Sequence, residues 1–343
     1  MLNYRFNNLK SIIMKLKYIL VFIALYCRFP ALTQPSNPRI DSTVNNLVLP
    51  AGYVTAEYGA IPGYIKTGNG KQTMILIPGL GFDGSVFSDF MESNKNNYTM
   101  FAITIPGYGN TKAPPLPAGG TSYGEQSWNK GVIQGILKLM EKEKIQKAII
   151  VGHSTQGTQL ALRMAIDYPY KVSRVIIMGG HAKFIATIQG KAREFPLDTM
   201  VMYTNNYTAP QWFKHIRKQY FDDNNYVPSV YSLDSIKGAE LWRKAVAVPL
   251  PVMVHYLCEF FASDIKTELY KIKCPVLILR ALFSDAVFEN PVNSYVRFQF
   301  IDAWNDVPEK NPLIQVKDIV NAGVFVWKDK PKETYAAIKD FLK

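Results

Sequence analysis

From Thr73 onward the chain repeats one pattern: a short apolar run, a turn rich in glycine, then a stretch with helical spacing. The runs are Thr73–Ile77, Thr99–Ile105, Lys147–Val151 and Ser173–Met178, followed much later by Pro275–Leu279 and Ile314–Val320. Near-continuous β-branched and aliphatic runs of this length suit strands buried on both faces. Between them, Ser127 to Lys144 and Thr158 to Tyr168 carry apolar residues at helical spacing, as does Glu333 to Leu342 at the end. Alternating β and α elements predict an α/β protein with a mostly parallel central sheet flanked by helices. Ahead of this series, Tyr53–Tyr58 and Gly63–Lys66 alternate and predict a pair of hairpin strands. The alternation fails between about Ala182 and Leu269, where Trp212, Phe221, Trp242 and Phe260 sit in sequence of helical texture. That stretch reads as a helical cap inserted between two core strands. The expected organisation is therefore residues 1–33 a signal peptide, 34–50 a linker, 51–181 and 270–343 the two parts of the core, and 182–269 the cap.

The signal peptide rests on Lys15 and Lys17 followed by the apolar stretch Tyr18–Tyr26, with Ala31-Leu32-Thr33 as a cleavage site. Met14 is an alternative start. So short an apolar run cannot span a bilayer, which needs about 20 residues; an uncleaved anchor is the competing reading. The formal charge of +12 is partly a property of this leader, because residues 1–33 hold five basic residues and no acid. Without them 34 basic residues face 27 acidic ones, a balance of +7. The remaining Lys and Arg are scattered, with no aromatic-interleaved stripe of the kind nucleic-acid grooves use. No nucleic-acid partner is expected, and export to the periplasm or the outside is. Cys258 and Cys274 allow one disulfide but read as two ordinary buried thiols.

The chemistry concentrates at Val151-Gly-His-Ser-Thr-Gln-Gly157, where an apolar strand meets a helix. A serine on such a corner, preceded two residues earlier by a glycine, fits the nucleophile elbow, which lifts the hydroxyl above the sheet edge. Ile77-Pro-Gly-Leu-Gly-Phe82 and Ile105-Pro-Gly-Tyr-Gly-Asn110 stand at the ends of two earlier strands. With these three segments in this order, the chain resembles the α/β-hydrolase family, in its capped branch. The resemblance runs from about residue 50 to the end. It implies Ser154 as nucleophile, the backbone N–H groups of Leu80 and Thr155 as the oxyanion hole, and Asp285 as the acid, ten residues after Pro275 in Pro275–Asp285. Two preorganised donors of this kind contribute several kcal/mol to acyl transfer.

The base is where the resemblance breaks. Relatives place a histidine after the last strand, seven residues before a proline; counting back from Pro331 gives Val324. Valine accepts no proton, so Ser154 has no base at the inherited position. Four histidines exist in all. His153 flanks the serine in an orientation that faces away from the site in relatives, and His215 and His255 lie in the cap. His181, at the end of Met178-Gly-Gly-His181, is on the same sheet edge as Ser154 and is the substitute-base candidate, against a purely structural role. Gln156 fills the last slot of G-x-S-x-G, either reaching into the site or crowding the elbow. No metal-ligand cluster, dinucleotide fingerprint or phosphate loop is present, so no cofactor and no metal are expected. The expectation is an exported serine hydrolase acting on an ester or similar acyl bond of a small, partly apolar molecule, with impaired activity. The alternative is a non-catalytic small-molecule-binding protein.

Overall fold

The computed structural model describes residues 57–188, 191–224, 227–290 and 293–343. The expected signal peptide, the linker and most of the first expected hairpin strand lie outside these residues.

Among the described residues nine strands form: β1 Gly63–Thr67, β2 Gln72–Ile77, β3 Tyr98–Thr104, β4 Ala148–His153, β5 Val172–Met178, β6 Ala186–Ile188, β7 Lys191–Arg193, β8 Val276–Leu282 and β9 Ile314–Val320. Seven of them make one sheet in the order β1-β3-β2-β4-β5-β8-β9. Within this sheet β1 runs antiparallel to its neighbour, and the other pairings are parallel. Each apolar run read from the sequence overlaps one of these strands. Successive side chains alternate across the sheet, so Ile75 and Ile77 join Ile150 and Ile177 on one face, while Leu76, Val151 and Ile176 enter a second apolar cluster on the other. The first face is covered by the helices Ser127–Lys142 and Ser154–Asp167, whose buried residues belong to the same cluster. The second face is covered by Ser88–Asn94 and Pro331–Leu342.

The chain leaves β2 toward β3 on one side and then crosses to β4 on the other. At such a switch point the loops after two neighbouring parallel strands diverge and open a crevice at their carboxyl ends. Here those loops are Pro78–Phe82 and the β4 corner at Ser154. Topology alone brings the two motifs together.

Between β5 and β8 the chain makes the small β6–β7 hairpin and then a series of helices, including Ser235–Val246 and Leu250–Phe261. The second of these is buried along most of its length and packs on the helices Ser127–Lys142 and Ser154–Asp167. Among the described residues no single helix is long and apolar enough to cross a membrane. Cys258 and Cys274 are both buried and both free, so no disulfide joins them.

Candidate active site

Ser154 sits at the junction of β4 and its helix with φ of 52°. Residues with a Cβ rarely hold a left-handed backbone, and doing so at a strand-to-helix corner stores local strain. The surrounding glycines show what the corner requires. A Cβ on Gly79 would lie 2.7 Å from the Ser154 Cβ, and one on Gly152 would lie 2.3 Å from the Gly157 carbonyl oxygen. A Cβ on Gly157 would meet the Ile77 carbonyl oxygen at 2.4 Å. The loop after β2 is thus pressed directly against the elbow, and it carries Leu80, next to Gly79, to the same corner. The helix starts at Ser154 itself, four residues before its expected start at Thr158. Its first turn is built of serine, threonine, glutamine and glycine, which have no apolar period to reveal a helix.

The close-packing role expected of the residue two after the serine falls to Gly157 instead. Gln156 neither enters the site nor crowds it. Its side chain is buried, accepts a hydrogen bond from the Tyr108 hydroxyl at 2.5 Å and donates to Asn129 at 3.2 Å. Asn129 in turn donates to Gln126, whose amide reaches the Glu259 carbonyl. This amide chain ties the elbow to the cap. Glu259 ends it from the cap side: buried to 1% exposure, its carboxylate accepts from the backbone N–H groups of Trp128 and Asn129 at 2.7 and 2.9 Å. A carboxylate on the first turn of a helix satisfies otherwise orphaned donors and opposes the dipole.

The loop after β9, where the sequence leads one to look for a base, is a packing element. Val324 is buried at 2% exposure, and its N–H donates to the Val230 carbonyl at 2.9 Å. Phe325 donates to Tyr231 in the same way. Asp329 closes the join: its carboxylate accepts from the Gly323 and Leu233 N–H groups and from the Ser232 hydroxyl. The loop is bolted to the cap by backbone pairing, with no polar side chain offered toward Ser154 from position 324.

The four histidines each have a defined surrounding. His153 is fully buried among Phe82, Phe87, Phe325 and Trp327. Burial, with a smaller push from the Lys328 ammonium, lowers its pKa to about 3, against the Val324 backbone, which opposes the shift. His255 stacks on Trp128 and approaches Glu259 at 3.4 Å. His215 is exposed at the end of a cap helix.

His181, the substitute-base candidate, does stand at this edge, but its bond goes elsewhere. Its Nε2 lies 2.9 Å from the Thr155 hydroxyl, and its Nδ1 lies 3.2 Å from the Lys183 carbonyl. Both nitrogens are therefore engaged, and no ring nitrogen among the described residues hydrogen-bonds the Ser154 hydroxyl. Asp285 opens the short helix Asp285–Glu289 beyond β8, on the carboxyl edge of the sheet, and is exposed to solvent. None of these histidine contacts involves it. Thr155 is partly exposed beside Ser154, and Leu80 is half-buried.

Two cavities flank these elements. One, of about 210 Å³, lies beside the Gly81–Asp83 turn and is lined also by Gly107, Lys244 and Pro249. The other, of about 510 Å³, is at the opposite edge of the sheet, near Arg174, Pro275 and Lys317, away from the elbow. Neither is lined by Ser154. Among the described residues no group of three or more His, Cys, Asp or Glu side chains is placed to hold a metal ion.

Comparison with known proteins agrees with this architecture. A 2-hydroxy-6-oxononadienedioate/2-hydroxy-6-oxononatrienedioate hydrolase from a Pseudomonas species is 26% identical over 193 residues, which is 54% of this chain and 62% of that protein. A pimeloyl-[acyl-carrier protein] methyl ester esterase from Vibrio cholerae is 23% identical over 146 residues, 43% of this chain and 51% of that protein. The chain thus spans about half to three-fifths of the length of these relatives. Among solved structures, MenH from S. aureus superposes with a TM-score of 0.61 at 16% identity, covering 82% of this chain and 98% of that one. An esterase from Thermogutta terrifontis superposes at 0.55 with 15% identity, covering 82% and 92%. At such identities the structural matches speak for the fold alone. The model of the alpha/beta hydrolase family matches residues 74–338, which contain the elbow, the cap and the loop after β9, and the chain belongs to that family.

Proposed function

We propose that this chain is an exported hydrolase of an ester or similar acyl bond in a small, partly apolar molecule, with Ser154 in the nucleophile's seat and slow turnover. The observation that carries the reading is the left-handed Ser154 held by glycines against the Pro78–Phe82 loop. Backbone strain of this kind clusters at functional sites, and in this reading the corner offers the Ser154 hydroxyl to the Leu80 and Thr155 N–H groups. Asp285 takes the acid's role by its position after β8. The name of one relative, a methyl ester esterase, supports an ester substrate. Turnover is slow because Val324 occupies the base's seat. In serine hydrolases such as subtilisin, losing the histidine costs about 10⁶ in kcat, while roughly 10³–10⁴ over water survives from binding and the oxyanion hole.

A second reading, a protein that binds a small molecule without reacting, is favoured by the way the loop at Val324 is bolted to the cap. Short-chain p-nitrophenyl ester turnover separates the two. The first reading expects a rate above buffer in the wild type and a gain on the order of 10²-fold in Val324→His, abolished when Ser154→Ala is added. No turnover by either protein would leave only the binding reading.

A further inference from the structure

We propose that this corner holds a second nucleophile, the Thr155 hydroxyl, with His181 as its general base, and that acyl transfer in the native chain runs through Thr155 faster than through Ser154. The inference rests on the acyl-transfer reading above but puts Thr155 in place of Ser154 as the hydroxyl that carries most of it in the native chain.

A carbonyl only accepts, so the 3.2 Å contact with Lys183 places the proton on His181 Nδ1 and leaves a lone pair on Nε2. That lone pair faces the Thr155 hydroxyl at 2.9 Å. Nucleophile, base and a third group that orients the base are thus all within reach, the arrangement by which hydroxyls are activated. The ring is also held. Phe260 and Phe300 meet it edge-on at 5.0 and 4.7 Å. The backbone on either side is pinned, Gly180 by the Trp304 indole and Ala182 by the Gln159 amide. A base fixed by packing and by neighbouring hydrogen bonds is what a reacting site needs. Burial lowers the pKa of this imidazole to about 4, against the Lys183 carbonyl, so the ring is neutral but a weak base, which limits the rate.

Thr155 is partly exposed, and it follows Ser154 directly at the corner. Its own backbone N–H is one of the two oxyanion donors.

The steps balance. Thr155 Oγ1 attacks the acyl carbon while His181 Nε2 takes its proton, and the oxyanion collapses as the bond to the leaving alkoxide breaks. The imidazolium returns the proton to that alkoxide, leaving a threonyl ester. Water then attacks the ester, giving its proton to Nε2, and Thr155 departs and recovers it. The group behind His181 is a carbonyl and not a carboxylate, so the imidazolium is less well stabilised than in a full triad and the rate is modest.

A fluorophosphonate probe, followed by digestion and mass-spectrometric mapping of the adduct, tests this on the whole protein. The expected result is an adduct on Thr155, absent in Thr155→Val, retained in Thr155→Ser, and formed on the order of 10²-fold more slowly in His181→Phe. Melting curves of each variant accompany the mapping. A structural pair would lower the melting temperature of His181→Phe while leaving the labelling rate of the folded protein unchanged, and that outcome overturns the proposal. An adduct confined to Ser154 also overturns it but leaves the Ser154 reading standing. No adduct at either residue, with no ester turnover, removes both.

Discussion

The elbow and the loop after β9 meet at one sheet edge, yet they are built on different principles. The elbow is a backbone device. Gly79, Gly152 and Gly157 are needed because carbonyl oxygens or the Ser154 Cβ stand within 2.3 to 2.7 Å of where a Cβ would be. The loop at Val324 is a packing device, with an aliphatic side chain buried at 2% and two backbone bonds to the cap. The loop at Val324 fastens the cap, while the corner is locked by close backbone contacts with the neighbouring strand.

Acid should strain both regions most. His153 abuts the Phe325 loop and His181 abuts the elbow, and burial lowers both pKa values, to about 3 and about 4, from an ordinary value of 6.5. The unfolded chain binds protons that the native one refuses. Stability is therefore complete above pH 6.5 and falls as the pH drops toward 4 and then 3. By pH 4 the loss is on the order of 3 kcal/mol for each histidine, and His153 goes on losing as the pH falls to 3. Urea melts between pH 7 and 4 would show this decline, and a flat profile would mean that the rings are not buried and neutral.

Substitutions come next. Gly157→Val should cost about 3 kcal/mol, since the obstacle is the Ile77 carbonyl in the centre of the sheet. Global unfolding reports it. Asp329→Ala removes three hydrogen bonds that join the loop to the cap and should cost about 2 kcal/mol. Hydrogen exchange should quicken at residues 230–233 and 323–325 and leave β4 protected; uniform acceleration would contradict the separation of the two regions. Gln156→Leu removes the acceptor of the Tyr108 hydroxyl and the donor to the Asn129 amide oxygen, for a loss of about 1 kcal/mol. Its melting temperature should fall with no gain in ester turnover, because the amide is spent on Tyr108 and Asn129.

Much of the sheet was legible because its strands are buried on both faces and read as unbroken apolar runs. Val324 was legible by counting back from Pro331, and its burial follows from being valine among aromatics. Other features had no local signal. Glu259 caps a helix that begins 132 residues earlier in the chain, at Ser127, so no motif spacing announces it. The Gln156 side chain looked like an intrusion because the pattern of the elbow ends one residue early, whereas the backbone contact it should serve belongs to Gly157. The place of His181 on the strand edge was legible, but not that its ring faces Thr155 and not Ser154. Which hydroxyl it faces depends on the rotation of a helix's first turn, and a list of residues does not hold that.

The pairing of hydroxyls with rings is most directly read from the imidazole nitrogen resonances of 15N-labelled protein. The His181 Nε2 signal should lose its hydrogen-bonded character in Thr155→Val, and no ring nitrogen should lose one in Ser154→Ala. A ring that answers to Ser154→Ala would reveal a base that the Val324 seat does not supply, and would contradict the assignment of His181 to Thr155.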